Sequence, residues 1–238
     1  ESGGVRLLFD AGISGRKARE RLAAHGRGIE RAHALIVSHD HADHVTCAGV
    51  YQRMFGMPLF ITNRTLNAAK AKYNLGRLDD VRHFRPGETL RFGHVSVETF
   101  PTPHDGAEGS AFVIDDGASR LAILTDLGHV YRHLDNAIAS SDAVFLESNY
   151  DPAMLAAGPY PAPLKRRIAG PGGHLSNGEA AELLARSATP RLRWVCLAHL
   201  SGENNTPKLA LAAHRQALGG DIALHVAPRE GATWILDL

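Results

Sequence analysis

At 238 residues, 44% of them hydrophobic, the chain can bury a substantial core and is long enough for one large α/β domain or two small ones. A formal net charge of +1, carried mostly by arginine, argues neither for nor against nucleic acid. No apolar run approaches the ~20 residues of a membrane helix and no signal peptide is visible. Only two cysteines occur. Cys47 and Cys196 lie far apart and read as small core residues, as expected of a cytoplasmic, reducing setting.

Taken in chain order, strand-like and helix-like stretches interleave. The sequence starts at Glu1 without Met, yet residues 5–9 already read as a strand, so its natural beginning is expected upstream. Ser14 caps a helix to about Ala24. The apolar run at residues 34–37 is a buried strand, and residues 45–55 follow as a helix. Residues 58–62 predict a strand and 63–73 a helix. Residues 81–84, 89–92 and 95–100 form a β-rich section punctuated at Pro86-Gly87 and Gly93. Residues 111–114 and 121–125 flank Asp115-Asp116-Gly117 as a hairpin. A helix near 130–139 leads to a strand at 143–146. Pro and Gly crowd residues 152–173, read as irregular with a short helix near 164–168. Ser176-Asn177-Gly178-Glu179 is a capping box opening a helix to about Ser187. Residues 194–197 predict a strand, 206–217 a helix, and 222–226 with 233–238 closing strands. There are no repeats and no long linker, so a single domain over 1–238 is expected.

The chemistry concentrates in Ser38-His39-Asp40-His41-Ala42-Asp43-His44, directly after a buried strand. His39, His41, Asp43 and His44 are four metal-ligand side chains in six positions. Imidazole with carboxylate suits zinc, manganese or iron. One tetrahedral ion rarely takes four ligands so close in sequence, so the spacing points to two. Open α/β sheets carry their sites at the carboxyl ends of strands. Further strands here end in the right chemistry: His104-Asp105, Asp126, Glu147 and His199. Any one of these alone reads more readily as structural; together they form a constellation.

That pattern, His39-x-His41-x-Asp43-His44 followed by His104, Asp126 and His199, resembles the metallo-β-lactamase superfamily. The resemblance implies an α/β fold, the four-layer αββα sandwich, with two divalent metal ions, zinc or manganese. It implies that His39, His41 and His104 hold one ion, that Asp43, His44 and His199 hold the other, and that Asp126 bridges. Asp43 is also counted with the catalytic groups. Asp10 matches an acidic residue of supporting role. The segments Leu146-Glu147-Ser148-Asn149, Lys165-Arg166-Arg167-Ile168, His174-Leu175-Ser176-Asn177 and His199-Leu200-Ser201 through Asn204-Asn205 are similar to the YycJ/WalJ group, related to ribonuclease Z. Its members are associated with 5′-to-3′ exonuclease activity on DNA. Two departures stand out: the family's opening strand is expected before residue 1, and His129 stands where an aromatic residue is usual.

In this reading a metal-bridging hydroxide attacks a phosphodiester. His174 protonates the leaving oxygen, with Glu147 holding its ring. Lys165, Arg166 and Arg167 would clamp the phosphates of a nucleic-acid strand, DNA more readily than RNA. Asn149 and Asn205 would touch substrate, and Tyr150 and Tyr160 could stack on bases. A solvated helix face is the bland alternative for the basic run. No membrane partner is expected. His25, His33, His83, His94, His133, His214 and His225 read as surface or packing residues. The alternative function is a small-molecule hydrolase of the same fold, acting on a lactone, thioester or cyclic phosphodiester.

Overall fold

The computed structural model describes residues 1–220 and 222–238. Its Cα framework divides into two compact units: Glu1–Pro101 with Gly106–Ser110, and Thr102–Asp105 with Ala111–Leu238.

In the first unit, β1 (Leu7–Phe9), β2 (Ala34–Ile36), β3 (Leu59–Phe60) and β4 (Val81–Arg82) form a parallel sheet in chain order. Helix α1 (Gly15–Ala23) starts at Ser14, whose hydroxyl accepts the Lys17 N–H. Helix α4 (Asn63–Lys72) starts the same way at Thr62. A hairpin, β5 (Thr89–Phe92) with β6 (Val95–Pro101), closes the unit. Its core joins sheet to helices through Leu35, Val37, Val45, Ala48, Tyr51, Leu59, Ile61 and Leu66. Burying an aliphatic side chain of this size contributes about 1.5–3 kcal/mol.

The helix expected over 45–55 is two helices, α2 (Ala42–Val45) and α3 (Ala48–Phe55). The cause is the chain that follows β1. Ala11 N–H donates to the His44 carbonyl at 2.6 Å, and Cys47 N–H donates to the Ala11 carbonyl at 2.8 Å. These bonds replace the helical ladder at the break. The approach needs glycine at position 12, because a Cβ there would lie 1.7 Å from the Asp43 carbonyl oxygen.

In the second unit, β7 (Ser110–Asp115) and β8 (Arg120–Leu124) form the expected hairpin about Asp116-Gly117. Then β8, β9 (Ala143–Glu147), β10 (Trp194–Ala198) and β11 (Ala223–Val226) run parallel. Helix α5 (Arg132–Ala139) precedes β9. Helix α8 (Asn177–Ser187) carries the full Ser176–Glu179 capping box and packs on α5 and on α9 (Pro207–Leu218). The segment expected to be irregular but for one short helix near 164–168 holds two helices: α6 (Pro152–Ala157), which was not expected, and α7 (Ala162–Ile168), where the short helix was expected. The first was legible in principle: Asp151 caps it through the Met154 N–H, and Pro152 suits the first turn. No strand forms over 233–238. The tail is held instead by Trp194, whose ring N–H donates to the Asp237 carbonyl at 2.9 Å, while Trp234 and Ile235 stay exposed. No helix among the described residues is long and apolar enough to cross a membrane.

Candidate metal and catalytic site

Parallel register decides which side chains reach one edge. In the first unit Phe9 faces Ile36 and Ile36 faces Phe60, so Asp10, Ser38 and Thr62 leave the sheet together. In the second, Leu124 faces Leu146 and Leu146 faces Leu197, which delivers Asp126, Glu147 and His199 to one edge. Three non-glycine residues among those described have left-handed backbone: Asp10 (φ 61°), Asp126 (φ 56°) and His199 (φ 56°). Asp10 and His199 directly follow strand ends, and Asp126 lies two residues past the end of β8. Such conformations cost about 1–3 kcal/mol each and concentrate at functional sites.

The first cluster hangs on Asp10. Its Oδ1 accepts the Ser38 N–H at 2.7 Å and its Oδ2 the Ser38 hydroxyl at 2.9 Å. His44 Nδ1 stands 2.8 Å from the same Oδ2, so this nitrogen carries the proton and Nε2 is left for a ligand. The Ser38 hydroxyl, its proton given to Asp10, accepts from His39 Nδ1 at 3.0 Å, which leaves His39 Nε2 for a ligand. The ring of His39 meets those of His41 and His44 at 4.5 and 4.1 Å between centroids. Ligand atoms of His39 lie within 4.8 Å of those of His41 and of His44, and those of Asp43 and His44 within the same reach. Asp43 is exposed, its carboxylate 3.4 Å from His44 Nε2.

Asp40, between two of these histidines, is 1% exposed. Its Oδ1 accepts the Ala107 N–H at 2.7 Å and its Oδ2 meets Lys72 Nζ at 2.5 Å. Burial alone would raise its pKa; the Lys72 and Ala107 bonds outweigh burial and hold it below the usual carboxylate value.

In the second unit Asp126 Oδ1 is the hub. His104 Nε2 and His199 Nε2 both lie 3.5 Å from it. Ligands bound to one tetrahedral ion at 2.0–2.2 Å stand about 3.3–3.6 Å apart, and a direct N–H···O bond would be shorter. The donor set therefore fits a divalent cation. His104 Nδ1 donates to the Gly173 carbonyl at 2.8 Å, which commits Nε2 to the ligand side. Asn149 Nδ2 donates to the His199 carbonyl at 2.8 Å and lies 3.3 Å from its Nδ1.

His174 Nδ1 stands 2.6 Å from Glu147 Oε1. Glu147 is fully buried, and its Oε2 accepts the Leu127 and Leu175 N–H groups at 3.0 and 3.3 Å. Burial would raise its pKa, but the bonds from His174 and His199 hold it below the ordinary value. Asp126, Glu147, His174 and His199 together offer ligand atoms within 4.8 Å of one another. His129, exposed, has its Nδ1 2.8 Å from the Pro171 carbonyl and ties two loops of this unit.

Several expected substrate contacts are spent inside the fold. Asn205 is buried, its amide bonded to Asn177 and to the Ser148 and Asn149 carbonyls. Asn149 is buried and its amide is bonded to His199. Tyr150 is buried, and burial pushes its phenol up to about 12. Lys165 Nζ donates to the Ala156 carbonyl at 2.6 Å. Arg167 grips Asp105 through Nε at 2.5 Å and Nη2 at 3.1 Å. Arg166 is exposed. Two charges of the basic run therefore brace α7 and the loop of His104. Sequence reading also passed over Asp40 and Lys72. The signal for Asp40 was a charged residue between two histidines a few positions past a buried strand; Lys72, far off in sequence, had none.

Residues 5–197 match the Beta-lactamase superfamily domain. The chain belongs to this superfamily, a metal-dependent hydrolase with the α/β fold, the αββα sandwich, of the metallo-β-lactamases. Within it the chain is 34% identical over 212 residues to exodeoxyribonuclease WalJ of Streptococcus pneumoniae, covering 88% of this chain and 79% of that protein. It is 35% identical over 214 residues to exodeoxyribonuclease YycJ of Bacillus anthracis, covering 90% and 81%. Among solved structures, the metallo-β-lactamase fold protein YhfI of Bacillus subtilis aligns with TM-score 0.68 at 18% identity, over 95% of this chain and 86% of that one. Zn(2+)-bound PqqB of Methylobacterium extorquens aligns with TM-score 0.68 at 24% identity, over 100% and 85%. These two likenesses show the fold.

Proposed function

We propose that the protein is a dinuclear metal-dependent DNA exonuclease acting in the 5′-to-3′ direction in the cytoplasm. His39, His41 and His104 would hold one ion, Asp43, His44 and His199 the other, and Asp126 would be shared by both. Two exodeoxyribonuclease relatives support the substrate class. The observation that carries the reaction type is the His174–Glu147 pair at 2.6 Å, beside Asp126 and His199.

Two divalent ions bound there, zinc or manganese, would supply an activated water and would take up charge from the phosphate oxygens. The protein does the rest. Asp10, Ser38 and the Gly173 carbonyl turn the histidine Nε2 atoms to the metals. Glu147 takes the Nδ1 side of His174, so that Nε2 faces the substrate and protonates the leaving alkoxide. Buried Glu147 is itself fixed by two backbone N–H groups, so the acid is held in place before substrate arrives. Arg166 contributes a phosphate contact.

The bonding of Lys165 and Arg167 within the chain favours the second reading, a small-molecule hydrolase, since it thins the strand clamp. A nuclease assay decides, using 5′-phosphorylated and 5′-hydroxyl strands of DNA and RNA with Mn²⁺ or Zn²⁺. Shortening of DNA from the 5′ end is expected. No hydrolysis of any strand, with turnover of a lactone, thioester or cyclic phosphodiester, would move the second reading into its place.

A further inference from the structure

We infer that Lys72 is a positioning residue of the metal centre, acting through Asp40 to hold His39 and His41 in ligating geometry. The inference rests on the assignment of those histidines as metal ligands. Asp40 stands between them and is 1% exposed. A buried carboxylate persists only when paired and hydrogen-bonded. Here the pairing cation is Lys72, at the end of α4, 2.5 Å from Oδ2. The other oxygen takes the Ala107 N–H at 2.7 Å. One side chain thus joins three pieces of the first unit: the histidine loop, the 106–110 segment and α4.

Two more contacts tighten the same join. Thr65, in the first turn of α4, donates its hydroxyl to the Glu108 carbonyl at 3.1 Å, so the helix meets the 106–110 segment directly at its start and through Asp40 at its end. Gly106 packs directly on the ligand loop: a Cβ there would lie 3.2 Å from Asp40 Oδ1 and 3.2 Å from His39 Cβ and Cδ2. The ring of His39 therefore rests on backbone whose placement depends on Asp40. If Lys72 is removed, the carboxylate must turn toward water, and its neighbours His39 and His41 turn with it.

The sign of the effect separates positioning from plain electrostatics. A lysine near a cation site repels the cation, so its removal alone would tighten metal binding. Loss of a positioning residue weakens it, and supporting partners of metal ligands are typically worth about 10–100-fold in affinity. The test is a Co²⁺ titration of metal-free full-length protein, following the visible d–d bands, for wild type, K72R and K72M. K72M is expected to bind at least tenfold more weakly with an altered band shape, and K72R to return within about threefold. If K72M does not fold, the D40N/K72M double variant replaces it. That variant carries no buried charge and keeps an acceptor for Ala107, so it is expected to fold and to bind within about threefold of wild type. Unchanged affinity and spectrum in K72M, or tenfold weaker binding by a folded double variant, overturns the inference alone. Wild type that binds no Co²⁺ overturns the ligand assignment as well.

Discussion

At the scale of single residues, the strongest expectation concerns Asp126. One of its oxygens faces two imidazole nitrogens at 3.5 Å, and its backbone is held left-handed to put it there. Asp126→Ala should abolish turnover while far-ultraviolet circular dichroism stays native. Activity within tenfold of wild type, about 1.4 kcal/mol in barrier, would show that the carboxylate bridges nothing. His174 makes a different prediction. His174→Ala should retain metal and lower kcat by about 10²–10⁴-fold on a DNA strand. The loss should shrink on a nitrophenyl phosphodiester, whose leaving group needs no proton. Equal losses on both would make the residue structural. The same scale shows what sequence reading could reach. His39, His41, Asp43 and His44 are legible because they are contiguous. That Asn149 and Asn205 are bonded inside the fold was not legible, because a polar residue near a motif looks the same whether it faces solvent or a carbonyl.

At the scale of elements, α7 is a brace with one outward cation. Arg167 is tied to Asp105, and the His174 N–H donates to the Ile168 carbonyl at 2.9 Å. Arg166→Ala should lower the log–log salt slope of single-strand binding by roughly 0.7, the share of one phosphate contact. Arg167→Ala should instead cost turnover more than slope, since it frees the loop of His104. Fluorescence anisotropy across a salt series, with parallel rates, reads both. The α5–α8 contact carries a pH prediction. Asp135 accepts from Arg186 Nε and the Ser187 hydroxyl, each at 2.7 Å, and the Arg186 bond holds its carboxyl below the usual value. A lowered carboxylate pKa means stability that is present above the unfolded value of 3.8 and lost as pH falls through the folded one. Asp135→Ala should thus cost about 1 kcal/mol or less near neutrality, the pair being partly exposed, and lose that cost once the pH has fallen below the folded value. Denaturant melts at both pH values would check it; a constant difference would assign the effect to packing.

At the scale of the whole molecule, the full donor set should hold two divalent ions per chain. Elemental analysis of loaded protein should approach two equivalents, and chelation should remove activity and lower Tm, since a ligand that binds only the folded state stabilises it. One equivalent at saturation, with full activity, would refute the dinuclear reading.

How much was legible depends on whether the deciding interactions are local. The strand–cluster sequence at 34–44, the hairpin at Asp115-Asp116-Gly117 and the capping box at Ser176–Glu179 could be read directly, because apolar periodicity, turn residues and caps act over a few positions. That His104, Asp126 and His199 lie near strand ends was readable too; that they converge on one oxygen of Asp126 was not. The break between α2 and α3 was not, because it is made by Ala11, which arrives from another strand. Nor was the state of each imidazole, which Asp10 and the Gly173 carbonyl decide from far along the chain. The occupation of Arg167 by Asp105 and of Asp40 by Lys72 likewise depends on charges that meet only after folding. Charge and spacing in the sequence name the chemistry available; burial and long-range hydrogen bonds decide which groups remain free to use it.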